Sequence, residues 1–80
     1  MNTLIEYHQT ADLYYAAFLM AAEVPFYDTK REGRRVYFVF ERVEGLDELK
    51  RDYFNGKAKV SARKFVSAIR HMKTLTHMED

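Results

Sequence analysis

Eighty residues allow one small domain, which buries only about 60–65% of its unfolded surface, so its stability margin is thin. With no Cys, neither a disulfide framework nor a thiolate metal site supports the core, and six Phe and six Tyr must supply it. The net charge of +1 favours no partner class, and the uncharged run Leu13 to Ala22 is half the roughly 20 residues that span a bilayer. The start, MNTLIEYHQT, carries neither a basic nor an apolar leader, so the expectation is a cytoplasmic protein without a membrane segment.

The charge is unevenly distributed. Residues 1–29 hold Glu6, Asp12, Glu23 and Asp28 and no Lys or Arg. Residues 30–55 hold seven bases and six acids, and residues 56–80 hold six bases against Glu79 and Asp80. An acidic beginning and a basic end either pair across the fold or leave a dipolar surface that steers a ligand.

Alternation of Ile5 and Tyr7 against Leu4, Glu6 and His8 predicts a short edge strand over 3–8. Thr10 is the expected N-cap of a helix over 11–22, with Asp12 in its first turn. Leu13, Ala16, Ala17, Met20 and Ala21 form one stripe of that helix, and Tyr14, Tyr15, Phe18 and Leu19 cover most of the rest. So apolar a helix is sandwiched between a sheet and a second helix, or lies against another chain.

Residues 24–41 read as a hairpin around Gly33, with Val36, Phe38 and Phe40 on one face of its second arm and Tyr37 and Val39 on the other. A two-residue Glu32-Gly33 turn would set Pro25, Tyr27 and Thr29 on the Val36/Phe38/Phe40 face. A type I turn with Gly33 as a G1 bulge puts Val24 and Phe26 there, gathers the more apolar set and spares Glu32 a positive φ, so it is preferred.

Residues 45–54 form a short amphipathic helix with Leu46, Leu49 and Tyr53 inward and Phe54 beside them, stopped by Asn55-Gly56 in the left-handed conformation. Ser61 caps the last helix, and Val60 and Phe65 form its hydrophobic staple. Its inner stripe is Phe65, Ala68, Ile69, Met72 and Leu75; its outer stripe is Arg63, Lys64, Ser67, Arg70, His71, Thr74 and His77. The expected fold is a single α+β domain over 1–80, a small antiparallel sheet with three helices in the order β-α-β-β-α-α.

Two candidate surfaces follow. Lys57, Lys59, Arg63, Lys64, Arg70 and Lys73 form a candidate anion or nucleic-acid surface, although Arg63 and Lys64 sit at the helix end that prefers acids. Tyr14, Tyr15, Phe18, Tyr27 and Tyr37 form a candidate self-association surface. The run RRVYFVFE does not fit the central strand of the RNA-recognition fold: Val36 takes the first stacking position, Glu41 replaces the closing aromatic, and no Gly follows the leading base.

Catalytic and metal chemistries find no pattern. His71 and His77 are six residues apart, about 120° around a helix, and with His8 they are the only imidazoles. Ser67 and His71 are neighbours on an open helix face with nothing to orient the imidazole, and Gly33, Gly45 and Gly56 make no phosphate loop. The expectation is a protein that is not an enzyme and needs no cofactor, metal or membrane. Its partner is a second copy or another protein, with nucleic acid as the alternative.

Four segments together resemble a family of short uncharacterised bacterial and phage proteins. They are T-x-D-L-x-x-A-A over 10–17, F-x-F-E over 38–41, Y-F-N-G over 53–56 and V-x-A-x-x-F over 60–65. The sequence departs from that pattern in reading His71-Met72-Lys73-Thr74-Leu75, where the family's lysine follows a Leu. The resemblance implies a bacterial cytoplasmic origin and carries no functional residues across.

Overall fold

A computed structural model of the chain describes residues 4–77. Its elements are β1 (Tyr7–Thr10), α1 (Leu13–Ala21), β2 (Phe26–Glu32), β3 (Arg35–Glu41), α2 (Leu46–Phe54) and α3 (Ala62–His77). The fold is α+β in the order β-α-β-β-α-α, with one three-stranded sheet in the order β1-β3-β2. β3 is antiparallel to both neighbours, so β1 and β2 run parallel with β3 inserted between them. This is the split β-α-β unit of ferredoxin-like and RNA-recognition folds, but helix α3 follows where those folds have a fourth strand.

The first strand lies later than its alternation suggests: Thr3 falls outside the described residues, and pairing covers Tyr7 to Thr10. His8 and Thr10 stand opposite Phe40 and Phe38 on the helical side, and Tyr7 and Gln9 face away. Thr10 is therefore a strand residue, and the helix cap passes to Asp12. The Asp12 carboxylate accepts from the Tyr15 amide at 3.0 Å, and the Thr10 hydroxyl accepts from the Asp12 amide at 3.0 Å. Asp caps at least as well as Thr, so the ladder keeps Thr10 at no loss to the helix.

The hairpin closes by neither expected turn. Glu32 pairs with Arg35, leaving a two-residue Gly33-Arg34 loop with Gly33 at φ 63°. A left-handed first loop residue followed by one that is not is the type II′ combination, which glycine alone adopts cheaply. In this register Thr29 and Arg31 oppose Phe38 and Val36. A bulge at Tyr27 then restores the phase, so that Phe26 opposes Phe40. Val24 and Phe26 join the core side as expected, but the bulge that puts them there lies at Tyr27 and not at Gly33.

α1 is the centre of the molecule. Tyr15, Ala16, Ala17, Phe18, Leu19 and Ala21 are all buried, and all but Ala21 cluster with Phe38 and Phe40 of the sheet, Leu46 of α2, and Ala68 and Met72 of α3. Ala21 and Ala68 line one groove between α1 and α3 and are short enough to let the helices approach closely. Toward α2, Tyr15 and Phe18 meet Tyr53 at ring-centroid distances of 5.4 and 5.1 Å, and Phe54 lies 5.2 Å from Tyr15. Of the two readings for this apolar helix, the sandwich within its own chain is the one found.

Both helices that precede tight reversals end in left-handed residues. After α2, the Lys57 amide donates to Asp52 O at 2.8 Å and the Gly56 amide to Tyr53 O at 3.2 Å, a Schellman motif with Gly56 at φ 73°. After α1 the same pair of bonds runs from Val24 to Leu19 O and from Glu23 to Met20 O, each 3.0 Å. There the left-handed residue is Glu23, at φ 66°. Helix α1 thus stops by its own cap before Pro25 is reached. α3 begins as expected, with Ser61 Oγ accepting from the Lys64 amide at 3.3 Å, and continues to His77.

Two measurable consequences follow. A left-handed L-residue costs about 1–2 kcal/mol and an exposed ion pair contributes about 0–1, so Glu23→Gly should stabilise the fold by about 1 kcal/mol. Glu23→Ala keeps the strain, loses the carboxylate and should not stabilise. Denaturant midpoints compare the three proteins, and a Gly variant no more stable than the parent would mean the carboxylate outweighs the strain.

The second concerns His8, whose Nε2 is hydrogen-bonded to the Tyr15 hydroxyl at 3.0 Å. Partial burial, then the cations of Arg42 and Lys50, lower its pKa below 6.5 despite the opposing pull of Asp47, and burial pushes the Tyr15 hydroxyl up to about 12. A lowered histidine binds its proton more readily when unfolded. Its contribution is therefore complete above pH 6.5 and lost as pH falls from there through the folded value. Thermal melts from pH 7.5 to 5 should show a smaller loss for His8→Gln than for the parent; equal losses would remove His8 from the account.

Candidate functional site

Two surfaces of this fold carry chemistry: the outer side of α3 with the hairpin end, and the sheet face that no helix covers. The first begins from amphipathicity. Burying Ala68 and Met72, with Phe65, Ile69 and Leu75 packed behind them, obliges Arg63, Ser67, Arg70, Thr74 and His77 to face outward. Lys57, Lys59, Arg63, Lys64, Arg70 and Lys73 are all exposed, as expected for a charged surface.

The six do not share one environment. Lys64 Nζ donates to Glu23 Oε1 at 3.1 Å, and the groove where they meet is lined by Met20, Ala21, Glu23, Arg63, Lys64 and Ser67 among others. Here the C-terminal end of α1 abuts the start of α3, so the negative end of one helix and the Glu23 carboxylate face the cations. That juxtaposition offsets the unfavourable basic first turn of α3. Toward the other end, Arg70 and Lys73 form no side-chain hydrogen bond or ion pair among the described residues.

The hairpin end adds cations that lie far away in sequence. Arg31 Nη2 donates to Thr76 O at 3.5 Å, tying β2 to the last turn of α3. Between them lies an open cleft of about 1030 Å³, lined by Leu13, Val36 and Phe38 and by Arg31, Glu32, Arg34, Arg35 and His77 among others. The sequence reading missed these arginines because Lys30-Arg31 and Arg34-Arg35 were counted in a nearly balanced segment. The signal was their spacing: two basic pairs flanking one hairpin turn.

The second surface follows from strand alternation. With Phe38 and Phe40 buried, β3 turns Arg35, Tyr37, Val39 and Glu41 to the far side. Lys30 stands opposite Tyr37 there, Asp28 opposite Val39, Glu32 opposite Arg35, and Tyr7 opposite Glu41. The rings of Tyr7 and Tyr27 meet at 4.7 Å, although their strands are separated by β3. They reach each other only by leaning over the central strand. Even so, Tyr7 is 46% and Tyr27 61% exposed.

The expected self-association residues divide accordingly. Tyr15 and Phe18 are core residues, 2% and 3% exposed, and cannot present a surface. The sequence pattern put them outside because a helix apolar all round shows no preferred face; the rings of Tyr53 and Phe54 decide the matter. Tyr14 is exposed but stands on α1, on the helical side of the sheet. Tyr27 and Tyr37 remain on the open sheet face, and Tyr7 joins them.

At the opposite end from the hairpin turn, Arg42 donates to Asp47 Oδ1 at 2.9 Å and holds that carboxyl below its usual range. Among the described residues no group of three or more His, Cys, Asp or Glu converges as a metal site would require, and no helix is long and apolar enough to cross a membrane.

No curated protein and no solved structure matches the chain. A domain of unknown function, DUF5659, matches residues 5–78, nearly the whole sequence, and the chain belongs to that family.

Proposed function

We propose that the chain is a small non-catalytic assembly module that pairs with a second copy through the open face of its sheet. The bacterial or phage cytoplasm is the setting that its sequence resemblance suggests. The observation that carries this reading is the Tyr7–Tyr27 ring pair, which with Tyr37 and Val39 leaves an aromatic patch on the sheet side that no helix covers.

Charge favours a second copy as the occupant. The hairpin end of the face bears Lys30 and Arg35 beside Glu32, and the far end bears Asp28 and Glu41. A two-fold axis lying in the interface and perpendicular to the strands would set each basic end over the other copy's acidic end. The tyrosines would meet near the axis. Nucleic acid fits this face less well, since its acids outnumber its bases.

Size sets the strength. Three short strands at their usual spacing offer roughly 250 Å² in projection, well short of the about 800 Å² per partner of a standard interface. The pairing should be reversible, with a dissociation constant on the order of 10–100 μM. Sedimentation across that range should show a monomer–dimer equilibrium. Tyr27→Lys, at an exposed position, should weaken it by about tenfold or more, while the lost contact with the Tyr7 ring destabilises the monomer by about 0.5–1.5 kcal/mol and leaves it folded. A strict monomer at high micromolar concentration would sink this reading.

A further inference from the structure

We infer that the cleft between the hairpin turn and the last turn of α3 is a phosphate-binding groove that holds a nucleic-acid backbone. It lies on the helical side of the hairpin and meets the sheet face assigned to self-pairing at Glu32 and Arg35. Its cations come from two segments about forty residues apart: Arg31, Arg34 and Arg35 of the hairpin line the cleft, and Lys73 of α3 stands one turn before Thr76 and His77, which line it from the helix.

Three observations converge on the groove. The first is the charge of the lining: among the described residues Glu32 is the one acid at the cleft, and Lys30 already engages it at 3.4 Å. Arg34 is exposed and forms no ion pair or side-chain hydrogen bond among the described residues. Arg31 uses one nitrogen on Thr76 O, which leaves other donors of its planar fork available for a second acceptor.

The second is continuity with the helix. Lys73 precedes Thr76 by three residues and His77 by four, so it stands beside the same end of the cleft. Arg70 lies one further turn back on the same side, and both are exposed. The result is a track of positive charge leading along α3 into the groove, longer than a single phosphate needs. A chain of phosphates matches it.

The third is the mixed lining. Leu13 and Val36, both part-exposed, line the cleft together with the arginines, so a sugar would find apolar side chains beside the cations. Phosphate contacts from arginine and lysine position a strand without reading its bases, so backbone binding of this kind should show little sequence preference.

The test uses the full chain and fluorescence anisotropy with a short labelled oligonucleotide, single-stranded and duplex, at 50 and 200 mM salt. Arg34→Ala/Lys73→Ala should weaken binding by about tenfold at the lower salt and flatten the salt slope by about two phosphate contacts. Lys50→Ala/Arg51→Ala on α2 removes the same charge outside the groove and should change binding by less than about threefold. Arg34→Lys, which keeps the charge and loses the fork, should fall between parent and alanine. If the alanine pair fails to fold by circular dichroism, the Arg34→Lys and α2 variants carry the test.

No binding of the parent to either oligonucleotide at 50 mM salt would overturn the inference. So would an equal loss in the α2 pair, which would reduce the effect to net charge. Tyr27→Lys, which addresses the sheet face, should leave affinity per protomer intact, so failure of one proposal is visible apart from the other.

Discussion

The structure depends on hiding α1. Nine residues that are apolar on nearly every side cannot be satisfied by a single neighbour, so the helix needs cover from three directions. The sheet supplies Phe38 and Phe40, α2 supplies Leu46 and its aromatic end, and α3 supplies Ala68 and Met72. The inner stripes of α2 and α3 and one face of the sheet are thereby used. What remains outside is determined by subtraction: the cationic side of α3, the hairpin end, and the sheet face turned away from the helices.

This constraint also explains how α3 tolerates a basic beginning. Arg63 and Lys64 in a first helical turn are unfavourable by a few tenths of a kcal/mol each in isolation. Packing α3 antiparallel to α1 places that turn beside the end of α1, where Glu23 and the negative pole of the helix are found. Glu23 reaches Lys64 from a left-handed backbone conformation, a position where glycine would be the ordinary choice. Local backbone preference and the pairing of charges oppose each other at this residue, and the loop has kept the charge.

Much of the fold was legible because its signals are periodic and local. The inner stripe of α3, the Ser61 cap, the Asn55-Gly56 stop and the row Val36/Phe38/Phe40, buried at its two Phe, depend on spacing within one element, and each lies where spacing put it. The features that escaped depend on a neighbour. Thr10 belongs to the ladder because β3 offers it a partner, and only then does capping fall to Asp12. The bulge at Tyr27 answers a turn that shifts the phase of the hairpin. Tyr15 and Phe18 look like surface in a helix with no polar side, until Tyr53 and Phe54 are folded over them. Of the candidate surfaces, the exposure of the α3 cations could be read from sequence. Their joining to Arg31 and Arg34 could not, since Arg31 and Thr76 are 45 residues apart.

The two proposed surfaces are geometrically compatible. The open sheet face and the helix layer lie on opposite sides of β3, so a pair formed through the sheets keeps both copies' α3 helices outward. Each groove would hold only a few phosphates, and a site of that size binds weakly at physiological salt. Two grooves on one pair act on the same backbone with a raised effective concentration, provided the strand can span them. Weak self-pairing and weak phosphate binding then reinforce each other. A polyanion that engages both grooves favours the paired state, and pairing in turn favours the polyanion, as linkage requires. On this account the thin margin of an 80-residue domain is matched by an assembly whose stability rises only when its ligand is present.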